Sequence, residues 1–200
     1  LNDSPSQFHA VENIRQELEQ AGYTRLSESH PWELKVGGKY YVTRNGSSLL
    51  AFRIPKADFA GFMISASHSD SPTFHIKENA QLKGPEAYAR INTEGYGGML
   101  CAPWLDRPLT VAGRVLVKAG DAIETRLVYV DRDLLLIPNV AIHMNREANS
   151  GLKYDQKTDT IPLMGMGQEE GTFRSIVAEA ADCAPGDILG TDLYLCLRQK

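Results

Sequence analysis

The chain has 200 residues, 42% of them hydrophobic, which is enough for one globular domain or two small ones. Its net charge of -4 and pI near 5.7 give no basic field for nucleic acid or an anionic membrane, since those partners are held mainly through clustered Lys and Arg. No run approaches the roughly 20 apolar residues of a membrane helix, and the first residues do not resemble a signal peptide. We therefore expect a soluble cytoplasmic protein with a small-molecule, peptide or protein partner.

The cysteines and the two ends of the chain give further expectations. Cys101, Cys183 and Cys196 are odd in number and contain no CxxC pair, which favours buried free thiols over a disulfide framework or a thiolate zinc site. The chain opens without Met and closes on LRQK directly after a strand-like run. We expect it to be part of a longer protein.

The chain up to about Gly95 reads as an α/β unit. Ser4-Pro5-Ser6 followed by an apolar stripe predicts a capped helix that ends before Gly22. The segments KYYVTR and SSLLAFRI, joined by Asn45-Gly46, predict a hairpin, because Asn-Gly accepts the positive φ angles of a type I′ turn. GFMISAS (61–67) is apolar on both alternations, which predicts a strand in the interior of a sheet.

From about Gly95 the sequence becomes rich in strand-like segments. A polar, glycine-containing stretch, 151–171, predicts a long loop, and a short helix behind Thr172 and a last strand, DLYLC, follow it. We place a domain boundary near residue 98, with 1–98 as the first segment of an interrupted domain and 99–200 as an incomplete β-rich insertion. The predicted strands of this insertion are LTVAGRVLVK (109–118), TRLVYVD (125–131) and LLLIPNVAIHM (134–144).

His68 and Asp70 follow the predicted interior strand, in the sequence HSDSP. A loop at a strand end is held rigidly yet reachable by solvent, which is the usual place for ligands in open α/β sheets. Imidazole suits zinc, and a metal-bound His normally donates its second ring N–H to a carboxylate or carbonyl. Taken alone, the motif also fits a structural His beside a turn-forming Asp. Its spacing does not show whether Asp70 bonds His68 or only shapes the loop.

Six blocks of the sequence resemble, in order and context, those of aspartyl aminopeptidases. The likeness spans nearly the whole chain, and the last two blocks together are specific to that family rather than common to metallopeptidases. The blocks are SPSQFHAV, GGKYYVTRNGSSLLAF, ISASHSDSP, INTEGYGGML, WLDRPLTVAGRVLVK and IPNVAIHMNRE.

The resemblance implies a zinc-dependent aminopeptidase that uses metal-activated water and holds two Zn²⁺ ions per active site. It implies a three-layer α/β/α catalytic domain interrupted by a β-rich dimerisation domain, with dimers assembling into a dodecamer. The implied substrates are peptides, from which N-terminal residues, acidic ones in many members, are removed.

By motif, the resemblance assigns His68 as a zinc ligand and Asp70 as the catalytic carboxylate that orients the site. His143, in AIHMNR, matches a His that either binds metal or reaches a neighbouring subunit's site to hold substrate, and we favour the substrate role. From the residues alone, a His at a strand end fits a surface or packing position equally well. His75 is expected to point away from the site, and His30 to lie in a surface turn.

The remaining zinc ligands and the general-base Glu of this family lie beyond residue 200. Glu169-Glu170 lies in a polar loop and is expected to be a solvated pair. We therefore expect residues 1–200 alone to be inactive. Two alternatives remain open: a non-catalytic assembly or scaffold protein that retains the dimerisation unit, and a broad-specificity metallo-aminopeptidase.

Overall fold

The computed structural model describes residues 3–56, 58–85 and 87–198, which fall into two compact units, Leu1–Ser71 and Pro72–Lys200. The first contains α1 (Gln7–Gln20) and a three-stranded sheet of β1 (Thr24–Arg25), β2 (Lys39–Arg44) and β3 (Ser48–Arg53). The second contains α2 (Thr172–Ala180) and six strands: β4 (Thr73–Lys83), β5 (Tyr88–Tyr96), β6 (Leu109–Ala119), β7 (Ala122–Tyr129), β8 (Leu163–Met166) and β9 (Ile188–Leu197). These strands form one sheet in the order β7-β6-β9-β4-β5-β8.

The division at Ser71 differs from the predicted boundary near residue 98. Strands β4 and β5 pair with each other, and His75 of β4 pairs with Tyr194 of β9, so both strands belong to the sheet of the second unit. The division at Ser71 describes only how the chain packs into compact units. The assignment of 1–98 to an interrupted catalytic domain stays a prediction.

Helix α1 forms where the apolar stripe predicts it. Phe8 and Val11 are buried, and Gly22 adopts a left-handed φ of 79° just after the helix. Ser6 occupies the N-cap position with extended backbone, but its hydroxyl bonds the His9 ring at 2.8 Å rather than a helix amide. The predicted cap is therefore present in position and absent as a side-chain hydrogen bond.

The predicted hairpin is confirmed. Arg44 pairs with Ser48 and Lys39 with Arg53, and the chain reverses through Asn45 and Gly46, whose φ values are 53° and 64°. Positive φ at both positions is the reason that Asn-Gly occurs in such turns. Tyr41 is buried and donates its hydroxyl hydrogen to Glu19 of α1, whereas Tyr40, also buried, contacts Phe52 of β3.

The prediction of an interior strand at 61–67 is wrong for this structure. The segment is extended but has no strand assignment, and no described strand pairs with it. The side chains of Met63 and Ile64 are 103% and 86% exposed, because no neighbouring layer covers them among the described residues.

The second unit buries its core between one face of the sheet and α2. Phe173 and Val177 of α2 pack on Phe74, Ile91 and Val115 of the sheet. The predicted strands at 109–118 and 125–131, the helix behind Thr172 and the last strand are all present. The strand predicted at 134–144 is wrong: residues 135–137 form only isolated bridges, and Pro138 is followed by turns.

Across the described ranges, no helix is both long and apolar enough to span a membrane. The three cysteines are free thiols, and each is half-buried rather than buried as predicted. Burial raises the pKa of the Cys196 thiol to about 12, so this thiol stays protonated near neutral pH.

Candidate functional site

The predicted site begins at the turn that ends the first unit. Nδ1 of His68 lies 2.7 Å from the backbone oxygen of Asp70 and 3.1 Å from its Oδ1. A carbonyl oxygen can only accept a hydrogen bond, so Nδ1 must carry the proton. The neutral ring then keeps its free electron pair on Nε2.

This arrangement answers what the spacing could not. Asp70 bonds His68 directly, and it does so with both its main chain and its carboxylate. Such a contact fixes the tautomer and the orientation of the ring and makes Nε2 a better ligand. The ring is 78% exposed, so Nε2 is accessible to a metal ion or a substrate.

The loop around this pair is tied to the hairpin. Ser69 donates its hydroxyl hydrogen to the backbone oxygen of Ser47, in the hairpin turn, at 2.9 Å. The loop also borders a groove of about 800 Å³, whose other walls come from α1 and the start of β3. Val11 and Ile14 give α1's wall an apolar component, and Asn13 and Glu17 a polar one. The hairpin and the helix thus hold the loop while leaving its ligand side open.

As a metal site this loop is one part of a donor set. An imidazole nitrogen with a carboxylate partner is a donor of the kind zinc selects, so the residues fit zinc. Nowhere in the described ranges do three or more His, Cys, Asp or Glu side chains come together as a metal-binding group. His68 and Asp70 can therefore contribute to a zinc centre but cannot complete one.

His143 belongs to the second unit, where it lies in an exposed turn rather than at a strand end. The turn is closed by hydrogen bonds from Met144 N to Ala141 O at 2.8 Å and from Asn145 N to Ile142 O at 3.2 Å. Pro138 interrupts the apolar run before it, which is why the predicted strand does not reach His143. An exposed ring on a short turn is free to contact a separate molecule, and its role stays a prediction.

The other residues considered from the sequence lie away from the His68 loop in the chain. His30 sits in an exposed turn with Ser27 and Ser29, and Glu169 and Glu170 are exposed ahead of α2. His75 lies on β4, in the second unit.

The charged contacts of His75 were not anticipated from the sequence. Its Nε2 is 3.5 Å from Asp192 and its Nδ1 is 3.4 Å from Glu94. The Asp192 carboxylate raises the pKa of His75, and the same contact lowers the pKa of Asp192. Arg114 also pairs with Asp192, at 3.2 Å. These groups lie on four strands, β4, β5, β6 and β9, and β9 is far from the others in sequence, so no local pattern could have revealed the cluster.

Comparison with known proteins identifies the family of the chain. A family model described as Aminopeptidase I zinc metalloprotease (M18) matches residues 1–200. A probable M18 family aminopeptidase 2 of Clostridium acetobutylicum is 42% identical over 98% of this chain, which corresponds to 47% of that protein.

Solved structures give the same answer for the fold. A chain in the cryo-EM structure of the Ape4 and Nbr1 complex matches 100% of this chain with a TM-score of 0.91 and 33% identity, over 42% of its own length. Chaetomium thermophilum mApe1 matches 98% with a TM-score of 0.83 and 31% identity, over 48% of its length. The predicted α/β class is thereby confirmed. The chain spans about half the length of the relatives it matches. It belongs to the M18 family of zinc metalloproteases, the Aminopeptidase I family.

Proposed function

We propose that the protein containing this chain is a zinc-dependent aminopeptidase that removes N-terminal residues from peptides. The observation that carries the proposal is the orientation of His68: its Nδ1–H is committed to Asp70, and its Nε2 is exposed beside a groove. Family membership supports the same reaction.

Two zinc ions per active site would, when bound, polarise the scissile carbonyl and make water a nucleophile near neutral pH. His68 would hold one of them through Nε2. Asp70 would act through His68, by keeping the proton on Nδ1 and the ring in one orientation. A zinc site takes three or four protein ligands, so the other ligands and the general base must come from outside the described residues. We accordingly expect residues 1–200 alone to hydrolyse no aminoacyl substrate.

His143 is proposed to bind the substrate of a neighbouring copy, with a role as metal ligand as the alternative. Its exposed turn supports contact with another molecule. We further propose homo-oligomers built from dimers, up to a dodecamer, on the basis of the family resemblance. A cytoplasmic location is supported by the three free thiols, which fit a reducing compartment.

The test uses the full-length protein and three variants. Loss of the ligand in His68→Ala should remove zinc and reduce peptidase activity to background. Asp70→Asn should preserve the fold and lower metal affinity or turnover by roughly 10- to 100-fold, the loss typical when a partner of a metal ligand is removed. His30→Ala removes an exposed imidazole of the same unit and serves as the matched control, with wild-type behaviour expected.

Two measurements decide the outcome: zinc content by elemental mass spectrometry, and release of N-terminal Asp, Glu and Leu from chromogenic substrates. Wild-type zinc and rates in His68→Ala would remove His68 from the site. An unchanged Asp70→Asn would leave Asp70 as a turn residue only. Comparable rates on Leu and Asp substrates would favour broad specificity, and a zinc-free, inactive wild-type protein would favour the scaffold alternative.

A further inference from the structure

A second groove, of about 700 Å³, lies within the second unit. One wall is the sheet edge, with Tyr88 and Arg90 of β5 and Leu163 of β8. The opposite wall is the irregular segment from Pro138 to Ile161. This volume is within the range of pockets that bind small molecules.

Arg90 is the only cation among the described residues that line this groove, and it forms no ion pair with a described carboxylate. Its Nε is buried without a hydrogen-bond partner, and its Nη2 makes one long bond, 3.3 Å, to the backbone oxygen of Lys83. No carboxylate in the described ranges lies within 4.0 Å of it, whereas Arg114 and Arg198 of the same unit each have an Asp partner. A partly buried cation without an anion is unfavourable, so an anion brought by a ligand would be bound favourably.

The acidic residue that shares the groove does not serve as this anion. Asp159 lines the same cavity, but its Oδ2 accepts the backbone N–H of Asp155 at 2.8 Å. Its Oδ1 lies 3.3 Å from the Thr158 hydroxyl. The carboxylate therefore stabilises its own turn, and the guanidinium of Arg90 stays available to a ligand.

The rest of the lining selects for an apolar body. Leu105 and Leu163 lie at the sheet side, and Val140, Met144 and Leu152 lie on the facing segment. Val140 and Met144 are 56% and 81% exposed, so their side chains present apolar surface that a ligand could cover. A few polar groups within an apolar lining is the usual composition of a small-molecule site.

We propose that this groove binds a small organic carboxylate with an apolar body, and that the carboxylate pairs with Arg90. The site belongs to the second unit and uses neither His68 nor Asp70. Val140 and Met144 lie on either side of His143, so the groove adjoins the turn proposed to contact a neighbouring copy, but the test of binding does not require peptidase activity.

The probe pair is N-acetyl-L-leucine and N-acetyl-L-leucinamide, which have the same body and differ in charge. Binding is followed in the full-length protein through the methyl signals of ¹³C-labelled methionine. Met144 lies in the groove, and Met63, in the first unit, is the internal reference. The acid should shift the Met144 signal saturably and leave Met63 unchanged. The amide should bind at least ~10-fold more weakly, since it lacks the charge-assisted hydrogen bond.

Variants separate charge from shape. Arg90→Gln should weaken binding of the acid at least ~10-fold and change binding of the amide little. Arg90→Lys keeps the charge, so its affinity for the acid should lie between those of wild type and Arg90→Gln. This variant also provides the test if Arg90→Gln fails to fold. Arg107→Gln removes an exposed arginine of the same unit and should bind like wild type.

Three results would overturn the proposal. Equal binding of acid and amide would show that Arg90 does not recognise charge. Unaltered binding of the acid in both Arg90 variants would place the probe elsewhere. Absence of any Met144 shift at the solubility limit of the acid, as expected if another copy of the chain fills the groove, would also reject it.

Discussion

Gly113 is the position in the second unit where one added methyl group should be most disruptive. It lies in the middle of β6, opposite Leu193 of β9 and Val128 of β7. A Cβ built on Gly113 would lie 2.1 Å from the backbone oxygen of Asp192 and 2.9 Å from the Cα of Leu193. Neither atom is at the end of a flexible side chain, so β6 and β9 would have to separate.

The expected loss of stability follows from the separation of the two strands. Carbon and oxygen atoms that are not bonded normally approach to about 3.3 Å at closest, so the strands must move apart by roughly 1 Å at this point. Overpacking of this kind costs about 1 to 3 kcal/mol, and each ladder hydrogen bond that is lost adds about 1 kcal/mol. We expect Gly113→Ala to lower the free energy of unfolding by about 3 kcal/mol, which corresponds to a fall in Tm of roughly 10 °C.

Gly190→Ala is the matched control, because it makes the same chemical change in the neighbouring strand β9. Its Cβ would meet only Leu116 Cδ1 at 3.8 Å, an ordinary contact, so the Tm should stay the same or rise slightly. Tm is measured by calorimetry, and hydrogen exchange of residues 188–197 reports locally on the β6–β9 ladder. If both variants melt within about 2 °C of wild type, the close packing of these strands is not the constraint described.

Three further predictions concern pH, the active unit and assembly. Asp192 raises the pKa of His75 above 6.5, so their contact should stabilise the fold fully below about pH 6.5 and lose this effect as pH rises through the pKa of the folded state. The Tm difference between wild type and His75→Gln should therefore shrink as pH rises. A Tm difference that does not depend on pH would contradict this prediction. Residues 1–200 expressed alone should show no zinc-dependent release from aminoacyl substrates, and measurable release would mean that the described residues suffice. Co-refolding inactive His68→Ala and His143→Ala full-length variants should restore part of the activity if His143 acts in a neighbouring copy, whereas mixed oligomers without activity would place it in its own chain.

The parts of the fold that sequence predicts are those fixed by neighbours in the chain. The Asn45-Gly46 turn depends on the φ angles of two residues, and α1 depends on an apolar stripe and a following glycine. Strands β6 and β7 form a hairpin across Gly120, whose φ is 62°, so their pairing is also local.

Strands β4, β5 and β8 were not predicted, because no clear strand pattern in the sequence marks them. β4 carries Lys77, Glu78 and Asn79 in its middle, and its register with β5 shifts between Ile76 and Gln81, so no regular alternation marks it. β8 is four residues long and contains Gly165 within a stretch that otherwise has the composition of a loop. Conversely, 61–67 has the composition of a buried strand, and composition cannot supply the partner strand that a sheet requires.

The candidate site, too, has a part that the sequence predicts and a part that it does not. The motif pointed to His68 and Asp70, but its spacing left open whether the two residues bond. The atom that holds Nδ1 most closely, the backbone oxygen of Asp70, is common to every residue and leaves no mark in a sequence. That oxygen fixes the proton on Nδ1 and so leaves Nε2 as the ring nitrogen with a free electron pair. The Asp70 carboxylate adds a second, longer contact, and replacing it by an amide leaves the carbonyl bond in place. A graded loss in Asp70→Asn, against a complete loss in His68→Ala, is therefore what this geometry requires.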